Sequence, residues 1–186
     1  MLIVWIIIAL VVLAIGFVVV GFNKLRRTDI AAQEALGGID VQLTRRADLI
    51  PNLVETVKGY AAHEKGVFEE ITKARSHLQT AAAGNNVQEK AAADAEMAGA
   101  LVNLNAVAEA YPDLKANTNF QDLQKQLAET ENQISFARQY YNDAVATLNK
   151  LVVTIPWMFF TGIAKVSKRE FYDAPEGKEA VPGVEF

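Results

Sequence analysis

The sequence predicts an all-α protein: one N-terminal transmembrane helix followed by an elongated antiparallel bundle of about four long helices. Three observations carry this. The opening "MLIVWIIIALVVLAIGFVVVGFNKLRR" has no charged side chain between Leu2 and Phe22. Near the other end, Phe120, Leu127, Ile134, Tyr141 and Leu148 recur every seventh residue, with Leu123, Ala137, Ala144 and Leu151 three positions after most of them. Between these, Ala, Gln, Glu, Lys and Leu dominate, and the period-two alternation of β-strands is missing.

The apolar opening is about 21 residues, or roughly 30 Å as helix, which matches the hydrocarbon core of a bilayer. It has neither the basic start nor the small-residue cleavage site of a secretory signal, so an uncleaved anchor over residues 1–22 is expected. Leu2, Trp5, Phe17 and Phe22 belong to the span, with Trp5 near one interface. Lys24, Arg26 and Arg27 crowd the other, and the positive-inside bias then puts the N-terminus outside and the remainder in the cytoplasm.

The bundle is expected over residues 23–152. Its first helix, about residues 23–47, is marked by Leu25, Ala32, Leu36, Ile39 and Leu43. A break is expected near Pro51, whose ring clashes with the Ala47 carbonyl and whose nitrogen cannot donate to it; Asp48 then caps a new helix. That second helix, about residues 52–83, carries Leu53, Val57, Tyr60, Val67, Ile71, Ala74 and Leu78 on one stripe and ends where Gly84 and Asn85 suit a left-handed cap. An alanine-rich third helix, about 87–111, presents Met97, Leu101, Leu104, Ala108 and Tyr111. "YPDLKANTNF" then connects to the heptad helix, with Thr118 and Gln121 placed as a capping box.

Residues 153–186 form a hydrophobic, aromatic segment and a mobile tail. "LVVTIPWMFFTGIA" is uncharged, too short to span but long enough to lie at an interface. Trp157, Met158, Phe159 and Phe160 with Lys165 and Lys168 make up this segment. If the chain reverses near Pro51, the aromatic cluster returns to Lys24 and Arg27, where a bilayer receives it. If Pro51 only kinks a continuing helix, the cluster is distal and packs on a neighbouring subunit.

The charges argue for structure rather than catalysis. The net charge of −4 gives no basic surface for nucleic acid, and the absence of cysteine excludes disulfides and thiolate metal sites. His63-Glu64 lacks the second histidine of a zinc-protease helix, because position 67 is Val67, and His77 lies about 21 Å further along one helix. No catalytic, cofactor or metal site is expected. Asp40, Arg45, Arg46, Glu64, Glu131 and Arg138 instead fall on or beside packing seams, where polar residues set helix register or join subunits.

"IDVQLTRRADLIPNLVETVKGYAAHE" and "YPDLKANTNFQDLQKQLAETENQISFARQYYNDAV" resemble the hallmark segments of the LemA family, as does the apolar start. The resemblance covers nearly the whole chain; "IPWMFFTGIAKVSKREFYD" follows the family pattern more loosely. It implies a bacterial membrane protein with one N-terminal span, an extracytoplasmic N-terminus, a helical bundle and no established enzymatic role. The expected function is a non-enzymatic scaffold that self-assembles at the inner membrane and organises or shapes the bilayer. Its expected partners are membrane lipid and further copies of itself. The competing expectation is an adaptor that binds another membrane protein, such as a quality-control protease or an envelope-stress sensor.

Overall fold

The computed structural model describes residues 1–172, and within them the fold is all-α with no strand. The expected mobile end, "APEGKEAVPGVEF", lies outside the described residues. The principal helices are α1 (Leu2–Lys58), α2 (Lys65–Ala83), α3 (Val87–Glu109), the short α4 (Pro112–Lys115) and α5 (Thr118–Val153). A 3-10 turn, Trp157–Phe160, and the short α6 (Thr161–Ala164) follow. The chain divides into two compact units to which α1 and α5 both contribute.

One unit comprises Gly38–Arg138 with Tyr172. Its helical segments alternate in direction. Arg75 of α2 reaches Ala47 of α1, Asn103 and Glu96 of α3 meet Glu70 and His77 of α2, and Gln124 of α5 meets Asn105 of α3. Ile39, Leu43, Ile50, Leu53, Val57, Ile71, Leu78, Met97, Leu104 and Ile134 are buried between them. These are apolar positions at helical spacing, and burying a side chain of this size is worth roughly 1.5–3 kcal/mol.

Pro51 does not break the helix: α1 continues through it to Lys58, and the chain reverses over residues 59–64. The cost foreseen for Pro51, an orphaned Ala47 carbonyl, is met from another helix. Arg75 Nε donates to Ala47 O at 2.8 Å, replacing the hydrogen bond that proline cannot make. The later reversal resets the stripe expected over residues 52–83. Phe68 is buried, Val67 is only half-buried and Tyr60 is exposed. Glu64 therefore stands in the reversal, one residue before α2, rather than on a continuous helical face.

Two caps also differ from expectation. Gly84 is extended (φ −82°, ψ −177°) rather than left-handed, and α3 is capped by Asn86, whose side chain accepts from Gln88 N and Glu89 N. At the start of α5 the capping residue is Asn117, whose Oδ1 accepts from Phe120 N at 3.0 Å. Thr118 is already helical. Asn outranks Thr as a cap, which favours the earlier start.

The other unit comprises Met1–Gly37 and Gln139–Phe171. Leu25, Ala32 and Leu36 of α1 are buried here, as are Tyr141, Val145 and Leu148 of α5. Residues 2–20 are exposed throughout, and α1 is the one described helix long and apolar enough by itself to cross a membrane. After α5 the chain turns through a cis Ile155–Pro156 bond, and Trp157–Ala164 runs at 89° to α5.

Candidate functional site

Charged groups converge in the bundle unit. Asp94 of α3 is fully buried and accepts hydrogen bonds from Arg46 Nη1 of α1 and Arg138 Nη2 of α5. Tyr172 Oη donates to the same carboxylate at 3.3 Å, and the Arg138 guanidinium lies 5.3 Å from the Tyr172 ring. Arg46 also pairs with Glu131, whose side chain is half exposed. One turn away on α3, buried Lys90 Nζ donates to Asp40 of α1 and to Ala82 O at 2.9 Å.

Burial shapes the acid–base behaviour of this cluster. Desolvation is the dominant effect on Arg46 and lowers its pKa, against the attraction of Asp94. Burial likewise pushes the Tyr172 hydroxyl well above the usual phenol range, reinforced by the negative charge of Asp94. The Tyr172 shift leads away from the neutral range where general acid–base chemistry operates. The cluster joins α1, α3 and α5 through complementary charges.

The remaining seam residues are placed as follows. Arg45 points outward and is exposed, Asp40 is half-buried against Lys90, and Glu64 is half-buried in the α1–α2 reversal. Sequence reasoning named Arg46, Glu131 and Arg138 but missed Asp94 and Lys90, which hold them. A signal was present: Lys90 and Asp94 precede Met97, Leu101 and Leu104 at spacings of four and three, so two charges stand on the apolar stripe of α3. Among the described residues no group of three or more His, Asp or Glu side chains is arranged to hold a metal ion. His77 Nδ1 is 2.6 Å from Glu96 Oε2.

A second constellation lies where the anchor leaves its apolar stretch. Phe160 packs edge-on against Phe17, with ring centroids 5.2 Å apart and planes at 72°. Its ring occupies the space that a Cβ at Gly21 would need. Lys24 Nζ lies 4.1 Å from the Trp157 ring, a cation–π contact. The aromatic segment thus sits beside Lys24, although the chain reversal that returns it falls after Lys58 rather than at Pro51. Met158 and Phe159 remain exposed.

From Lys165, which is left-handed (φ 52°), the chain runs extended. Asn149 brackets the main chain of Arg169, donating to its carbonyl and accepting from its N–H, both at 2.9 Å. Arg169 Nε donates to Asp29 at 2.8 Å, and Tyr141 Oη donates to Glu170 O at 2.8 Å. Sequence reasoning missed this strap, because no local pattern announces an Asn side chain that reads the backbone of a residue twenty positions away.

Residues 35–186 match the LemA family, a stretch that includes the whole ion cluster and the aromatic segment. The chain belongs to that family. It is also similar to the magnetosome protein MamQ of Magnetospirillum gryphiswaldense, at 24% identity over 170 residues covering 78% of this chain and 62% of that protein. Magnetosome proteins MamQ 1 and MamQ 2 of Paramagnetospirillum magneticum are 25% identical over 162 residues, covering 74% of this chain and 60% of each. The LemA chain therefore spans about three-fifths of the length of these relatives. The apolar helix and this kinship make it a membrane-associated protein, and neither the family nor these relatives carry the name of an enzyme.

Proposed function

We propose that this LemA-family chain is a non-enzymatic, membrane-anchored scaffold that self-assembles at the bacterial inner membrane and organises or shapes the bilayer. Its N-terminus faces outward and its bundle lies in the cytoplasm. The observation that carries the reading is the use made of buried charge. Arg46, Asp94, Arg138 and Lys90 all serve contacts between helices, which is the chemistry of a framework with fixed register. The apolar start of α1, exposed over residues 2–20, supports attachment to the membrane. Uncovered apolar side chains on the bundle unit, Phe136 foremost at 67% exposure, supply surface where copies meet.

The test is the mass and shape of full-length protein after gentle extraction, by light scattering and electron microscopy. A large regular particle is expected, and Phe136→Glu should reduce its mass while leaving helicity intact. A monomer would sink the scaffold reading.

The adaptor reading draws on a different observation. A cleft of about 760 Å3 beside the α1–α2 reversal is lined by Lys58, Lys65 and Lys73 around Phe68, with Glu69 among them. That combination suits an acidic segment of a partner protein. Crosslinking in cells that recovers one stoichiometric partner, rather than further copies of this chain, would favour it.

A further inference from the structure

The first turn past the α5 terminus bears an apolar surface that the fold leaves uncovered. Val153, Ile155, Phe159 and Ile163 are 52%, 73%, 67% and 62% exposed. Four such side chains within eleven consecutive residues are not the scattered apolar exposure of an ordinary soluble surface. What covers them follows from where the segment is docked. Phe160, on the same short segment, packs on Phe17 and fills the space at Gly21. Both positions lie inside the apolar stretch of α1, which ends at Phe22. Five residues separate Phe17 from Phe22, a rise of about 7.5 Å along a helix. If the stretch spans the bilayer, Phe160 is held between the levels of Gly21 and Phe17, about 1.5 to 7.5 Å below the point where the span leaves the hydrocarbon, with Trp157 higher, beside Lys24. Interfacial helices lie about 5–10 Å into the headgroup–acyl boundary, so the depths overlap.

Direction and charge agree with depth. Trp157–Ala164 runs at 89° to α5, so it crosses the end of that helix rather than prolonging it. Trp157 sits at the outer edge of the segment under Lys24, the placement that amphipathic aromatic rings take at headgroup level. Lys24 and Arg27 follow the apolar stretch, Lys165 and Lys168 follow the docked segment, and all four are exposed, so that they can meet lipid phosphates. Val166, by contrast, is buried and the strap beyond it is bound to α1 and α5, which marks where the lipid-facing surface ends.

We propose that residues 153–164 form a second, monotopic membrane element, an elbow embedded in the leaflet through which α1 exits, with Val153, Ile155, Phe159 and Ile163 against acyl chains. The elbow adds volume to one leaflet only, which gives the chain a means of bending the bilayer. The inference rests on the membrane-anchored reading but not on self-assembly, so particle mass and elbow depth fail independently.

The chain contains no cysteine, so single cysteines for spin labelling need no background removal. Full-length protein carrying Ile155→Cys, Phe159→Cys or Ile163→Cys is labelled and reconstituted into bilayers of phosphatidylethanolamine and phosphatidylglycerol. Collisions with oxygen, which concentrates in acyl chains, are compared with those of a water-soluble nickel complex; Gln79→Cys, at an exposed polar position of α2, serves as the reference outside the elbow. The expected result is a strong oxygen preference at all three elbow positions. A nickel preference there places the elbow in water and overturns the proposal. Access to neither reagent places it against protein, a second copy or a partner, and overturns it equally. As a measurement that leaves the elbow unsubstituted, Trp157 in a Trp5→Phe chain should be quenched by lipids brominated near the headgroup end of the acyl chain; absence of quenching contradicts the proposal.

Discussion

Replacing Asp94 with Asn keeps the shape of the side chain and removes the negative charge that two guanidinium groups share. Asp94 and Arg46 are 0% and 3% exposed, while Arg138 is 29% exposed. Removing one partner of a buried ion pair typically costs about 3–5 kcal/mol, because a desolvated charge is left without compensation. Here two like charges would remain side by side, but Arg46 keeps its pair with Glu131 and Arg138 can turn toward water, which places the expected loss near the lower end, about 3 kcal/mol. For a chain of this size each kcal/mol moves the midpoint by roughly 2–4 °C, so a fall of about 6–12 °C is expected. The assay is thermal unfolding of full-length protein in detergent, followed by circular dichroism. Glu131→Gln is the internal control: its partner is the same Arg46, but its side chain is 49% exposed, so a loss under about 1 kcal/mol is expected. The reasoning is refuted if Asp94→Asn stays within about 1 kcal/mol of the parent, or if Glu131→Gln costs as much. Replacing Arg46, Asp94 and Arg138 together by apolar residues of similar volume should be far milder than Asp94→Asn alone, because no buried charge is left stranded and Glu131, which loses Arg46, is half exposed to water.

The Pro51–Arg75 arrangement predicts a coupling. Arg75→Met should cost about 1–2 kcal/mol, and about 1 kcal/mol less in a Pro51→Ala chain, where a backbone N–H again reaches the Ala47 carbonyl; additive losses in urea unfolding would rule the account out. Tyr172 predicts an alkaline limit. Its folded pKa is raised, so above the ordinary phenol value of 10.0 the unfolded chain releases a proton that the folded chain keeps. Stability is therefore full below that pH and falls as pH rises, by at most about 1.4 kcal/mol per pH unit from this group. Tyr172→Phe should flatten the fall, with Tyr141, whose pKa is also raised by burial, left to account for the remainder; an unchanged profile would dismiss the role of Tyr172. Gly21→Val puts a side chain into the Phe160 ring and should cost about 1–3 kcal/mol by overpacking while releasing Trp157 from Lys24. Unchanged melting together with unchanged Trp157 emission would show that the elbow is not docked there.

Fold class was readable because its signals are local and periodic. An uncharged apolar run of this length has the make-up of a membrane span whatever the rest of the chain does, and the buried Phe120, Leu127, Ile134, Tyr141 and Leu148 stand where a seven-residue repeat puts them. Leu25, Ala32, Leu36, Ile39 and Leu43 are buried for the same reason. Thr130 completes the seam between Leu127 and Ile134 and was passed over as polar; it is buried because its hydroxyl donates to Gln126 O at 2.8 Å within its own helix.

Where the chain turns was decided by tertiary contacts. Pro51 is a helix breaker only while the Ala47 carbonyl lacks a donor, and the donor comes from Arg75 on the returning helix, 28 residues away from that carbonyl. The ion cluster divides in the same way. Sequence spacing brought Arg46, Glu131 and Arg138 to the seams, but a charge on a seam is tolerable only with its partner, and Asp94 is supplied by a different helix. The aromatic segment was legible as apolar and too short to span. Its level beside Phe17, Gly21 and Lys24 depended on where α1 ended and α5 returned, because the depth of a surface element is set by the helices that carry it and not by its own composition.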